Sequence, residues 1–246
     1  MVYKRLERFL IQLDNVDSTN AYAINLLRTG SVVNGTVVLA HHQHNGRGQR
    51  SNTWTTEPGK NLTCSIILLP DLPAKDSFYL NVVTALAIRK SLEDLGLNAK
   101  IKWPNDILIG EKKVCGILIE NQISGDKISN SVVGIGLNVN QDNFTHLPQG
   151  TSIKRALNNA VEIQDVFDQV YGYLDFYYNL LCESNFELLL KHYYQHLYLL
   201  GIPSRFKDEL GEFEGVILGI DDFGRLLVQR GSEKKSYQIK EIAYCY

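Results

Sequence analysis

The residues from His41 to Trp54 read His-His-Gln-His-Asn-Gly-Arg-Gly-Gln-Arg-Ser-Asn-Thr-Trp. Arg47 and Arg50 supply two cations, and Gly46 and Gly48 let backbone N–H groups turn toward a common point. Such a stretch suits a loop that folds over an anion. It follows the apolar run Thr36 to Ala40, and the next apolar run begins only after Lys60. Connections this long inside a domain are either functional or disordered, and composition alone leaves both open. Three other positions could act with it. Lys102 or Lys113 could meet a second anionic group as a point charge. Asp106 follows the Trp103-Pro104-Asn105 turn and could act as a base or orient one. Together they fit a site that joins a carboxylate to a nucleotide phosphate.

Other chemistries find no support. His41, His42 and His44 have no nearby carboxylate or cysteine to complete a tetrahedral metal set, so no side-chain metal site is expected. Cys64, Cys115, Cys182 and Cys245 are far apart in sequence and contain no C-x-x-C pair. There is no G-x-S-x-G elbow and no P-loop. Gly134-Ile135-Gly136 lacks the third glycine of a dinucleotide fingerprint and sits in a strand. Lys+Arg 25 against Asp+Glu 27 leaves no whole-molecule cationic field for nucleic acid. The start, Met1 to Arg8, is charged where a secretory signal needs an apolar core. No run reaches the roughly 18 apolar residues of a membrane span. These features predict a cytoplasmic protein with reduced thiols.

The elements that must position these residues follow from periodicity and punctuation. A strand over 9–16 leads to Asp17-Ser18-Thr19-Asn20, where Asp17 or Ser18 caps a helix to Arg28, stopped by Gly30. Asn34-Gly35 turns into a strand over 36–42, and 61–69 reads as a buried strand. Asp76 or Ser77 caps a core helix to about Leu95. Strands follow over 99–102, 107–109, 113–120 and 131–140. Gly116, Gly134 and Gly136 lie inside them, which predicts a sheet face kept bare for a ligand. Residues 161–199 form two helices that break near Glu183-Ser184-Asn185, with tyrosines used for packing. Character changes at Gly201-Ile202-Pro203. Short strands over 205–208, 211–220, 225–229 and 236–242 then predict a small β-barrel. The expected division is 1–200 and 201–246.

The ordered set Asp17-Ser-Thr-Asn20, Gln43-x-x-Gly46-Arg-Gly-Gln-Arg50 with Trp54, Lys102-Trp-Pro-Asn-Asp106, Lys113-Val-Cys-Gly-Ile-Leu-Ile-Glu120 and Gly134-Ile-Gly-Leu-Asn138 resembles the biotin–protein ligases. The pattern covers nearly the whole chain. The resemblance implies an α+β fold: a mixed sheet with helices similar to the class II aminoacyl-tRNA synthetase core, then a Src-homology-3-like barrel. It implies activation of biotin by ATP with Mg²⁺ to biotinyl-5′-AMP, and transfer to a lysine of a biotin carboxyl carrier protein.

By the same resemblance, Ser18, Thr19, Asn20 and Gln43 meet the biotin head, beside Gly116. Arg47, Gly48 and Gln49 belong to the loop that closes over the adenylate. Lys113 meets the biotin carboxylate and the α-phosphate, and Asp106 receives the incoming lysine's proton. Nucleotide contacts are expected from Arg47, Arg50 and Trp54, from Lys102 and Asn105, and from Asn138 and Ser152.

Two departures stand out: Gln49 and Ser51 occupy positions where the loop often carries Arg and Gly. The catalytic pattern begins within the first twenty residues, so the form without an N-terminal helix-turn-helix is expected, with no nucleic-acid or membrane partner. Either a monomer or a homodimer fits. The competing readings are a lipoate or octanoate ligase or transferase of the same superfamily, and a non-catalytic biotin-binding module.

Overall fold

The computed structural model describes residues 5–30, 32–49, 53–145 and 147–245. Its elements in chain order are β1 (Leu10–Val16), α1 (Thr19–Thr29), β2 (Thr36–Gln43), β3 (Leu62–Leu68), β4 (Leu72–Pro73), α2 (Phe78–Asp94), β5 (Ala99–Lys102), β6 (Asp106–Ile109), β7 (Lys112–Ser124), β8 (Lys127–Leu137), α3 (Ile153–Leu157), α4 (Ile163–Cys182), α5 (Phe186–His196), β9 (Pro203–Asp208), β10 (Gly211–Ile220), β11 (Leu226–Arg230), β12 (Glu233–Tyr237) and β13 (Ala243–Tyr244). The large sheet runs β1-β2-β3-β8-β7-β6-β5, with β4 paired to β8. Only the β1–β2 pair is parallel among the described pairings of this sheet, so it is mixed.

Side chains alternate across a strand, and here alternation separates two jobs. Leu62, Cys64, Ile66 and Leu68 of β3 join Val133, Ile135 and Leu137 of β8 in the main core, together with α2 and α4. The opposite face carries Thr63 and Ser65, paired in register with Gly136 and Gly134. Gly116 of β7 lies directly across from Gly136. Only one end of this second face is apolar, where Val38, Ile67 and Val132 pack with Ala23 of α1. The rest is mostly small and polar, with Leu118 beside Gly134.

α1 starts as its sequence predicts. Ser18 is extended and its hydroxyl accepts from the Ala21 N–H, and Gly30 ends the helix in the left-handed region at φ 76°. α2 is buried on nearly all sides because it is sandwiched between the sheet and α4. Ser77 precedes it without a side-chain cap bond, and Asp76 falls instead in a single 3-10 turn over Ala74–Asp76. The predicted helix break is found, with Ser184 at φ 59°. Tyr178 and Tyr193 are fully buried packing residues.

The largest departures from the expected boundaries lie in the β7–β8 hairpin and the C-terminal strands. β7 and β8 form a long hairpin whose ladder runs from Cys115–Leu137 to Ser124–Lys127, so β8 begins before Ser131 and ends at Leu137 rather than Asn140. The residues beyond Leu137 turn away because the Asn138 N–H bonds to Val114 O and the Asn140 N–H to Lys60 O. In the C-terminal part the expected strand 236–242 is instead Glu233–Tyr237, since Arg230 pairs with Glu233 across a tight turn at Gly231.

The small sheet is antiparallel, ordered β12-β11-β10-β9-β13. Phe206, Ile217, Leu226, Val228 and Tyr237 fill its core. Among its contacts with the rest of the chain, the buried Trp103 indole N–H donates to Gly224 O at 2.9 Å. Among the described residues, no helix is long and apolar enough to cross a membrane.

Candidate functional site

The pocket forms where the bare sheet face meets the N-terminus of α1 and the loop after β2. The cavity there measures about 150 Å³ and is partly open to solvent. Ser18, Thr19, Asn20 and Gln43 line one end. Gln43 Oε1 accepts from the Thr19 N–H at 2.7 Å and lies 3.0 Å from the Thr19 hydroxyl. One of the free N–H groups of the helix start is thereby satisfied by a neighbouring strand. Ser65, buried on β3, contacts Thr19 Oγ1 at 2.7 Å and Asn20 Oδ1 at 2.5 Å. Asn20 Nδ2 donates to Glu120 Oε2 at 2.8 Å. The Asn20 amide orientation is assigned from these partners: its oxygen faces a hydroxyl and its nitrogen faces a carboxylate.

Lys113 and Asp106 sit at the other end. Their charged groups are 2.5 Å apart, in an ion pair whose angle falls outside hydrogen-bond geometry. Strict alternation would put Lys113 and Gly116 on opposite faces of β7. The register against β6 shifts between Ile107 and Leu108, which pair with Cys115 and Lys113 and skip Val114. This bulge sends both Val114 and Cys115 into the core and rotates Lys113 onto the glycine face. The Lys113 ammonium comes to 3.2 Å from where a Gly116 Cβ would stand. Thr151 N–H donates to Lys113 O and Lys113 N–H to Gln149 O, so the bulge is held on both sides.

The loop after β2 is anchored at its base. Trp54 N–H donates to Gly46 O at 2.8 Å, and Arg47 bridges Thr53 in antiparallel fashion. A Cβ on Gly46 would stand 2.2 Å from Trp54 O, so this close pairing requires glycine. Arg50 and Ser51 lie outside the described residues. Arg47 is placed in the pocket, with Nη2 3.5 Å from Glu120 Oε2.

The bare face is covered by the chain itself. Trp54 lies over Gly136 and Gly116, and Asn20 over Gly134, with hypothetical Cβ atoms at 2.3 Å, 3.2 Å and 2.3 Å from them. The expected ligand-facing glycines are therefore also the seats of two pocket side chains. Lys113 Nζ is 5.5 Å from the Trp54 ring centroid. The Trp54 indole N–H is buried with no partner among the described residues. An orphaned donor in a pocket is the mark of a group that a ligand or water completes.

Most of the expected site residues converge here: Gly48 and Gln49 line the same pocket, as does Asn105, whose amide donates to Ile117 O. Three are set apart. Asn138 is buried, donates to Thr151 O, and faces a second cavity on the far side of Trp54 with Gln141 and Phe144. Ser152 caps α3 by accepting from the Arg155 N–H. Lys102 pairs in register with Asp106, but its ammonium lies 4.8 Å from the Tyr244 ring centroid, in the small unit rather than along the pocket. Burial pushes the Lys102 ammonium below the ordinary lysine value, with Asp106 opposing and Lys113 reinforcing the shift. Cys64 lines the pocket, yet burial pushes its thiol up to about 12, which leaves no thiolate for nucleophilic chemistry.

Sequence reasoning assigned no role to Ser65 or Glu120. A signal existed for both. Thr63 and Ser65 are the polar alternates of an otherwise apolar strand, and Glu120 shares the parity of Gly116 on β7.

Comparisons with known proteins agree with this geometry. The model of the Biotin/lipoate A/B protein ligase family matches residues 13–138. That of the Biotin protein ligase C terminal domain matches 199–243. The bifunctional ligase/repressor BirA of Bacillus subtilis is 34% identical over 236 residues, spanning 89% of this chain and 69% of that protein. The biotin–[acetyl-CoA-carboxylase] ligase of Paracoccus denitrificans is 29% identical, spanning 94% and 99%. Among solved structures, the Aquifex aeolicus biotin protein ligase in complex with biotin and ATP superposes with a TM-score of 0.79 at 27% identity, covering 95% of this chain and 97% of that one. A pocket lined by these motif residues, a matching core and a matching C-terminal unit lead to one conclusion: the chain belongs to the biotin/lipoate A/B protein ligase family.

Proposed function

We propose that this chain activates biotin with Mg·ATP as biotinyl-5′-AMP and passes the biotinyl group to a lysine of a biotin carboxyl carrier protein. The observation that carries the reading is that Arg47, Lys113 and Asp106 line the same pocket as the polar N-terminus of α1. Biotin's ureido ring is neutral and polar, and it suits the hydroxyl and amide groups of Ser18, Thr19 and Asn20. Its carboxylate then points toward Lys113.

In the first step a carboxylate oxygen attacks the α-phosphorus, and the bond to pyrophosphate breaks. Two anions must approach, so fixed cations lower the barrier most where charge builds in the transition state. Arg47 and Lys113 supply them. In the second step the acceptor amine attacks the acyl carbon, AMP departs with the C–O electrons, and the ammonium proton passes to Asp106. The Lys113–Asp106 pair couples the steps. While Lys113 is held by Asp106, the carboxylate is neutralised. Once the adenylate draws Lys113 away, Asp106 is released to act as a base. Trp54, between the pocket and the Asn138 cavity, offers its ring to the adenine.

We also assign the chain two units, 1–200 and 201–246. The second braces the turn before Asp106 through the Trp103–Gly224 hydrogen bond.

Biotin-dependent ATP–pyrophosphate exchange tests activation, and transfer of labelled biotin to a carrier domain tests the second step. Exchange stimulated by lipoate or octanoate but not by biotin would reassign the substrate. Biotin binding without exchange would leave only a binding module.

A further inference from the structure

We propose that Glu120 is a positioning residue that ties the vitamin-head contact Asn20 and the flap arginine Arg47 to one fixed point on the sheet. This rests on the biotin-activating function proposed above. Glu120 lies on β7, in the stretch of regular pairing with β8 from Cys115 to Gln122, where it pairs with Val132. Its Oε2 is the acceptor for Asn20 Nδ2 at 2.8 Å and lies 3.5 Å from Arg47 Nη2. A carboxylate oxygen has two lone-pair directions, so one atom can serve both partners. A carboxylate accepts only, and with the Leu118 carbonyl, which takes the same Nδ2 at 3.3 Å, it sets the Asn20 NH₂ toward Glu120. Asn20 Oδ1 is then left to Ser65, at 2.5 Å. With the Thr19 N–H on Gln43 Oε1, the Thr19 hydroxyl turned to Ser65 and the one Ser65 hydroxyl proton on Asn20 Oδ1, the chain Gln43–Thr19–Ser65–Asn20–Glu120–Arg47 runs from the helix start to the flap.

Two consequences follow from the difference between rigid and movable partners. Arg47 lies on a loop held at its base by the Gly46–Trp54 hydrogen bond and the bridge with Thr53, whereas Glu120 is part of the sheet. The ion pair therefore acts as the post to which the flap closes. It engages one edge of a guanidinium that carries five N–H donors, so Arg47 keeps donors for a phosphate while latched. The Asn20 bond holds that amide in the orientation that meets the substrate head. Glu120 touches neither reacting atom in this scheme.

The test separates these two tasks by charge and by shape. E120Q keeps an acceptor oxygen for Asn20 and removes the charge that holds Arg47. E120A removes both. Native protein is first checked for biotin-dependent adenylate formation, and failure there would overturn the proposed function rather than the role of Glu120. Biotin affinity is then measured by calorimetry, and adenylate escape by single-turnover assays with α-labelled ATP. For E120Q, biotin affinity should stay within about twofold of native while adenylate escape rises about threefold, the scale of a half-exposed ion pair. For E120A, escape should rise equally and biotin affinity should fall about tenfold, as expected when a charge-assisted hydrogen bond is lost. In an Arg47→Ala background, E120Q should add nothing to escape. Unchanged escape in E120Q, or effects of E120Q and Arg47→Ala that multiply, would overturn the latch. Native-like biotin affinity in E120A would overturn the positioning of Asn20.

Discussion

Gly136 lies so close beneath Trp54 that a Cβ added to it would stand 2.3 Å from the indole ring. Backbone on a central strand cannot yield to relieve such a contact, so the ring must. Gly136→Ala should therefore unseat Trp54, cost about 1–3 kcal/mol of stability through overpacking, and raise the KM for ATP more than the dissociation constant for biotin. Urea melts with paired ATP and biotin titrations check this. An alanine variant that matches native protein in all three would show that Trp54 does not rest on this glycine.

In the proposed mechanism Lys113→Ala removes the cation that faces the charge building as the α-phosphate is attacked. Adenylation should slow by about 10²–10³-fold, the effect of deleting one preorganised stabilising group. Biotin affinity should change far less, because the charge matters most in the transition state. Pre-steady-state adenylate formation and equilibrium binding separate the two. Collapse of biotin affinity with undiminished turnover at saturation would assign Lys113 to ground-state binding instead.

Asp106→Asn keeps the shape of the side chain but removes the proposed base. Adenylate should still form, whereas transfer to the carrier lysine should slow by about 10²-fold. Raising pH should restore part of the rate, since more of the incoming amine is then already deprotonated. Equal losses in both steps would assign Asp106 mainly to holding Lys113.

Arg47→Ala should leave adenylate formation slower and the adenylate poorly held, so biotinyl-5′-AMP appears in solution and is hydrolysed there. In the proposed mechanism the flap closes over a mixed anhydride, and without its cation water would enter more often. Chromatography of quenched reactions measures the escaped fraction. No increase would contradict a retaining role for the loop.

Asp208 governs a separate, pH-dependent prediction for the small unit. Burial raises its carboxyl pKa, but the Leu210 N–H, the Tyr237 hydroxyl and the cations Lys235 and Arg230 outweigh it, and the net value lies below the ordinary carboxylate range. A folded-state pKa below the unfolded one adds stability at pH values above the unfolded pKa, near 3.9. That stability is lost as pH falls through the lower, folded value. Asp208→Asn should melt earlier than native protein at pH 7, and the gap should close in acid. Melting curves across pH 2–7 test it. A gap that widens on acidification would reverse the sign of the argument.

Much of the site was legible before folding was considered. Ser18 to Asn20 advertise a helix start, because capping depends on side chains within three residues of the terminus. The flap shows its chemistry in its glycines and arginines. Gly116, Gly134 and Gly136 mark one sheet face, since side-chain parity is a local property of a strand. The helix break at Glu183 to Asn185 and the change of character after Gly201 are equally local.

What only the tertiary structure decided concerns partners that are distant in sequence. Lys113 reaches Asp106 because a bulge at Val114 reverses its parity, and a bulge depends on the register of a neighbouring strand. Trp54 covers Gly136 because the flap folds back across the sheet. Lys102 turns toward Tyr244 because a unit more than a hundred residues later packs beside it, competing for a side chain whose motif marks it for the nucleotide. Glu120 serves both Asn20 and Arg47 only after three separate segments meet. Local pattern named most of the side chains that line the pocket. Strand register and long-range packing determined which of them touch, since contacts between remote segments depend on a geometry that no single window of residues contains.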